Sequence, residues 1–207
     1  MKIVIGSDNQ HKVVELSQLL SAYHIDFATQ SEFGVKGPEE TGLSFIENAI
    51  LKARHAAKET NLPAVADDSG LCVDALGGAP GIYSARYAGP ECDSKKNIQK
   101  LLKAIESIKG EDRSAYFYCA IAFVRRATDP TPLIALGQWF GRILEAPKGD
   151  NGFGYDPVFF IPHLNATVAE LDAGQKNQIS HRAKALKEFS EKFRMLYGPQ
   201  SLKTKSS

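Results

Sequence analysis

Apolar positions recur along this chain with two periods. Lys2 to Gly6 is a short apolar run that reads as a buried strand. Ser7-Asp8-Asn9 then turns the chain into a helix beginning near Gln10, with Val13, Val14, Leu16, Leu19 and Leu20 on its apolar face. Ile25 to Ala28 fits a second strand, and Gln30 to Glu40, with Gly34, Gly37 and Pro38, reads as loop. Ser44 with Glu47 fits a capping box, ahead of Ile46, Ala49, Ile50, Ala53, Ala56 and Ala57 at helical spacing. A strand runs from Pro63 to Asp67, and a long glycine-rich loop follows it. Ser94 through Ile108 is an amphipathic helix with Ile98, Leu101, Leu102 and Ile105 on one face. Ser114 to Arg126 and Leu133 to Leu144 are long strands around the turn Asp129-Pro130-Thr131-Pro132, which predicts an antiparallel hairpin. Gly149 to Asp156 is another glycine-rich loop, Val158 to Ile161 a short strand, and Ile179 to Tyr197 a final helix. Helices alternating with strands, followed by a hairpin, predict an α/β fold with a mixed sheet. The fold is expected to span residues 1–197, with a polar, disordered tail at 198–207.

Composition narrows the class without choosing a function. At 207 residues the chain supports one sizeable core. A net charge of +1 excludes a strong general field for nucleic acid or an acidic membrane. Cys72, Cys92 and Cys119 have neither disulfide-framework nor zinc spacing and read as incidental thiols in a reducing compartment. The apolar run at the N-terminus is too short for a signal peptide, and no stretch approaches the ~20 apolar residues of a membrane span. The expectation is a cytoplasmic protein.

Five groupings carry candidate chemistry, most with a plainer alternative. Ala66-Asp67-Asp68-Ser69-Gly70 puts two carboxylates side by side at the expected end of a strand. Such a pair repels itself unless a cation, most simply a divalent metal, lies between. The alternative is an Asx-turn. Glu39-Glu40 supplies a further carboxylate for that metal, or favours the dipole of the next helix. Ser7-Asp8-Asn9-Gln10-His11-Lys12 lies where a strand hands over to a helix, a place suited to phosphate. The alternative there is an ordinary N-cap with Lys12 in solvent. In Gly152-Phe153-Gly154-Tyr155-Asp156, flanking glycines let Phe153 or Tyr155 stack on a base while Asp156 holds its edge. Lys176, Ser180, His181 and Arg182 add donors for phosphate or a base oxygen, Ser180 being equally suited to capping. Together these suit metal-assisted attack of water on a nucleotide phosphate.

In order, the stretches SDNQHK, EETG, SFIENAILKA, ADDSGL, LGGAPGIYSARY, NGFGYDPVF and SHRAKAL resemble the inosine triphosphate pyrophosphatase family. These are the RdgB-like, house-cleaning enzymes of non-standard purine nucleoside triphosphates. The resemblance runs from about Lys2 to about Tyr197. It implies hydrolysis of ITP, dITP and XTP to the monophosphate and pyrophosphate with Mg2+. It also implies an elongated mixed-sheet fold of two lobes with an active-site cleft, and a homodimer. Residue by residue, it makes Asp68 the proton acceptor and, with Glu39 or Glu40, a metal ligand. Ser7, Asn9 and Lys12 bind the triphosphate, within a substrate-binding stretch of Ser7, Asp8, Asn9, Gln10, His11 and Lys12. Ser69, Phe153, Gly154, Tyr155, Asp156, Lys176, His181 and Arg182 fall on substrate- and base-binding positions. Asp67 supports Asp68 from outside the ligand set or is an extra ligand in some metal states. Two competitors remain: the Maf-like nucleotide pyrophosphatases, with a similar fold and other preferred nucleotides, and a nucleotide-binding module without catalysis.

Overall fold

The structure, a computed structural model, describes residues 2–7, 9–21 and 25–197. Asp8, the side chains of Gln10, His11, Leu19 and Leu20, and the tail at 198–207 lie outside the described residues. Among the described residues the elements are β1 (Lys2–Ile5), α1 (Gln10–Ser21), β2 (Asp26–Thr29), α2 (Phe45–Thr60), β3 (Ala64–Val73), α3 (Ser94–Ala104), β4 (Ser114–Val124), β5 (Leu133–Ile143), β6 (Phe159–Ile161), β7 (Ala166–Thr167), α4 (Ala173–Ile179) and α5 (His181–Tyr197). The strands form one sheet in the order β2-β1-β3-β4-β5-β6-β7. β1 pairs in parallel with β2 and β3, whereas β5-β6 and β6-β7 are antiparallel, so the sheet is mixed, as expected. β4 and β5 are neighbours joined through residues 125–132, the expected hairpin.

Two compact units divide the chain. Of the described residues, the first comprises those within 2–68, 119–137 and 184–197, and the second Ser69–Tyr118 and Gln138–Ala183. Each has its own core. In the first, Ile3, Ile5 and Val65 meet Leu16 of α1, Ile121 and Phe123 of β4, and Phe189 and Phe193 of α5. In the second, Leu71 and Val73 meet Ile98 and Leu101 of α3, Phe117, Trp139 and Phe159.

Most boundaries shift by a residue or two from the sequence reading, and three elements differ more instructively. β3 does not end at Asp67 but continues through Asp68, Ser69 and Gly70 to Val73. α3 stops at Ala104 rather than Ile108. Arg113 is buried there and donates to the carbonyls of Ile105 and Ile108 at 2.8 and 2.9 Å, and to those of Ile143 and Leu144. A guanidinium from a few residues further on thus satisfies carbonyls just past the helix end. The final helix, read from Ile179, begins at His181 as α5, and a short helix that the reading left out, α4, ends at Ile179 ahead of it, with Ser180 between them extended at φ −64 and ψ 162. The Ser180 hydroxyl accepts the Ala183 N–H at 3.2 Å, so the capping role read for it is the one it takes.

Candidate active site

The Asp67–Asp68 pair lies within β3, where successive side chains point to opposite faces. The two carboxylates accordingly meet different helices. Asp67, 1% exposed, pairs with Lys12 of α1 at 2.8 Å. Asp68, 7% exposed, pairs with Lys52 of α2 at 2.8 Å and accepts from the Asn48 side chain at 3.4 Å. The turn reading of this motif is therefore wrong, and repulsion between the acids is relieved by two ammonium groups. Lys12 is an ion-pair partner rather than a solvated charge.

The same Lys52 ammonium also reaches the Glu40 carboxylate at 2.9 Å, while Glu39 is exposed. A missing side chain makes this approach possible. The Gly42 N–H donates to Asn48 Oδ1 at 2.8 Å, and a Cβ on Gly42 would lie 2.7 Å from that oxygen. Neither Glu39 nor Glu40 lies in the first turn of α2, where Glu47 sits. The Ser44 hydroxyl caps that helix as expected, accepting the Glu47 N–H. The Glu47 carboxylate bonds the Leu43 N–H at 2.7 Å rather than that of Ser44. At the start of α1, the Ser7 hydroxyl accepts the Asn9 N–H at 3.2 Å and Asn9 Oδ1 accepts the Lys12 N–H at 3.4 Å, an N-capping arrangement.

One ammonium serves several carboxylates here, and the protonation balance reflects it. Burial works to lower the Lys52 pKa, but Asp68, Asp67 and Glu40 outweigh it and leave it raised. Burial pushes the Asp68 carboxyl above the ordinary carboxylate range, with Lys52 opposing and Glu40 adding to the rise. In metal-free protein the carboxyl carbon resonance of Asp68 is thus expected to titrate above the ordinary aspartate midpoint, and higher still in Lys52→Met. A midpoint at or below the ordinary aspartate value contradicts the account.

These residues suit a hard cation. Asp68 and Glu40 converge carboxylate oxygens on one positive centre, with Asp67 as the neighbour in sequence, and oxygen ligands of this kind fit Mg2+ better than softer metals. Among the described residues no group of three or more His, Cys, Asp or Glu side chains could hold an ion. The remaining ligands would be substrate oxygens and water.

The second unit assembles the other candidates. The Asp156 carboxylate accepts the Phe153 N–H at 2.9 Å and pairs with Lys176 at 2.5 Å. The Lys176 ammonium lies 4.2 Å from the centre of the Phe153 ring, within cation–π range. Gly152 and Gly154 have φ of +78° and +59°, the left-handed region this tight loop needs. The structure separates the two aromatic candidates: Phe153 is 74% exposed and Tyr155 is 4% exposed. Tyr155 has no free ring face, and its hydroxyl donates to the Ser84 carbonyl at 2.8 Å. Arg182 donates to the Ser69 hydroxyl at 3.4 Å, and the His181 ring stacks on Phe117 at 4.9 Å and 15°.

Lys52 and Asn48 are the site residues that the residue-by-residue reading left out. Their signal was present: at i and i+4 they occupy one face of α2, among the buried Phe45, Ala49, Ala53 and Ala56. Two polar side chains in an alanine-rich face call for a buried partner.

Comparison with known proteins places these observations in a wider set. A model of the Ham1 family matches residues 3–192. The dITP/XTP pyrophosphatase of Yersinia pseudotuberculosis is 56% identical over 186 residues, covering 90% of this chain and 94% of that protein. The dITP/XTP pyrophosphatase of Escherichia coli K12 is 55% identical, with the same coverage. The structure of a HAM1 protein from Coxiella burnetii superposes with a TM-score of 0.91 at 50% identity, covering 94% of this chain and 99% of that one. The Staphylococcus aureus Ham1 protein does so with a TM-score of 0.87 at 41% identity, again over 94% and 99%.

Proposed function

This chain belongs to the Ham1 family, and from that premise we propose that it hydrolyses the non-standard purine nucleoside triphosphates ITP, dITP and XTP to the monophosphate and pyrophosphate, keeping them out of DNA and RNA. The observation that carries the reading is the convergence of Asp68 and Glu40 on the Lys52 ammonium, with Lys12 on the adjacent Asp67. Carboxylates and ammonium groups gathered this way serve a polyanion and its cation better than they serve fold stability alone, since desolvating them is costly.

In the proposed reaction Asp68 accepts the proton of a water molecule whose oxygen attacks the α-phosphorus. The new P–O bond forms as the bond to the β-phosphate oxygen breaks, and pyrophosphate leaves. Lys12 and the backbone at the start of α1, with Ser7 and Asn9, offset the charge of the departing group. Lys52 holds Asp68 in place, and Asn48 fixes the second carboxylate oxygen. A divalent ion, taken to be Mg2+, would be held by Asp68 and Glu40 and would stabilise charge on the phosphate oxygens. Glu40 suits this role better than Glu39 because it already shares Lys52 with Asp68.

Phe153 offers a stacking face, and Lys176, His181 and Arg182 offer donors for a 6-keto oxygen. Adenine would leave such donors unpaired, at a cost of ~1–3 kcal/mol per group. The same reading takes the enzyme to be a cytoplasmic homodimer acting on free nucleotides rather than on nucleic acid or at a membrane. No described helix is long and apolar enough to cross a membrane. Product analysis tests the reaction class. ITP should yield IMP and pyrophosphate in equal amounts. Release of orthophosphate with IDP would place the cleavage at a different phosphorus and contradict Asp68 as the base for attack at the α-phosphorus.

A further inference from the structure

Ser84 forms a junction that none of these roles uses. It is buried in the turn Gly81–Arg86. Its hydroxyl donates to the Gly81 carbonyl at 2.6 Å and accepts the Leu71 N–H of β3 at 2.8 Å. Its own carbonyl accepts the Tyr155 hydroxyl at 2.8 Å. One residue therefore joins three segments: β3 two residues beyond Ser69, the Gly81–Arg86 turn, and the loop that presents Phe153 and Asp156. The bonds of Asp156 to the Phe153 N–H and to Lys176 order that loop against itself and α4. The Tyr155 hydroxyl ties it to the interior. Burial raises the Tyr155 pKa well above the ordinary tyrosine value, so the hydroxyl remains a donor at every working pH.

We infer that Ser84 and Tyr155 are positioning residues for base recognition, fixing the spacing of the Phe153–Asp156 loop relative to the Ser69–Leu71 segment of β3. Neither touches the nucleotide. Each acts through side chains that do, and the inference rests on the nucleotide reading above. A base-contacting loop that is held less firmly must be ordered when the nucleotide binds, which weakens binding. The loss should fall on binding rather than on the phosphorus chemistry, because the loop's contacts are made equally in the ground and transition states.

Steady-state pyrophosphate release from ITP and from GTP by wild type, Tyr155→Phe and Ser84→Ala tests this, with a melting curve for each. Tyr155→Phe removes one oxygen and keeps the ring. It is expected to raise KM for ITP about tenfold, to change kcat by less than about threefold, and to reduce the ITP-over-GTP ratio of kcat/KM. Ser84→Ala is expected to shift the same quantities in the same direction. If Ser84→Ala does not fold, Tyr155→Phe alone decides. A lowered melting temperature with unchanged KM and unchanged ITP-over-GTP ratio overturns the positioning role while leaving the nucleotide reading intact. A wild type that releases no pyrophosphate from ITP overturns both.

Discussion

Asp68→Asn is expected to lower kcat for ITP hydrolysis by at least ~10²–10⁴-fold, the usual contribution of a positioned general base, while ITP still binds. The substitution keeps the size and shape of the side chain. The remaining carbonyl oxygen can still accept from Lys52, now 2.8 Å from Asp68 Oδ1. What it removes is the negative charge and the basic lone pair on a group that is almost fully buried. Calorimetry with ITP separates binding from turnover. Near-normal turnover in Asp68→Asn contradicts the assignment, as does complete loss of nucleotide binding with the fold intact.

Lys52→Met is expected to cost about 3 kcal/mol of stability near pH 7, as removal of one partner from a buried ion pair does. The Lys52 side chain is only 13% exposed and bridges two carboxylates, so solvent would neutralise little of what remains. The cost should depend on pH. Without Lys52 the folded-state pKa of Asp68 rises further above its unfolded value of about 3.9. The folded state then holds more protons than the unfolded one between those two values, and stability falls as pH rises through that window. The deficit is therefore largest at neutral pH and shrinks toward about pH 4. A divalent ion would replace the lost positive charge, so Mg2+ should restore part of the stability and do so more than in wild type. Urea unfolding at two pH values, with and without Mg2+, checks this. A wild-type midpoint at pH 7 with no response to Mg2+ contradicts the bridging role.

The mixed sheet, the hairpin and the order of the longer helices were legible because their apolar spacing is local information. β3 was read too short because Asp67, Asp68 and Ser69 interrupt its apolar run. The strand continues because Lys12 and Lys52, 55 and 16 positions from their partners, neutralise the two acids. Nothing within the strand's own residues states that. The pairing of Asp67 with α1 and of Asp68 with α2 follows from the alternation of neighbours along a strand, once the strand is known to continue through both. α4 was missed because its seven residues, Ala173–Ile179, carry too few apolar positions to show a helical period, and the extended Ser180 after it caps α5 by accepting the Ala183 N–H. Phe153 and Tyr155 were indistinguishable in sequence, since both are aromatics beside a glycine. Their difference rests on the Ser84 carbonyl, 71 positions from Tyr155. Glu40 was separable from Glu39 only once the loop had closed over Gly42 onto α2.

The most direct measurement is pyrophosphate release from a panel of ITP, dITP, XTP, ATP, GTP, dTTP and UTP, with and without Mg2+, by wild type and Asp68→Asn. The account predicts rapid Mg2+-dependent release from ITP, dITP and XTP, slow release from the other four, and near-complete loss in Asp68→Asn. Fast dTTP or UTP hydrolysis with ITP untouched, or ITP binding without pyrophosphate release in Mg2+, would contradict it.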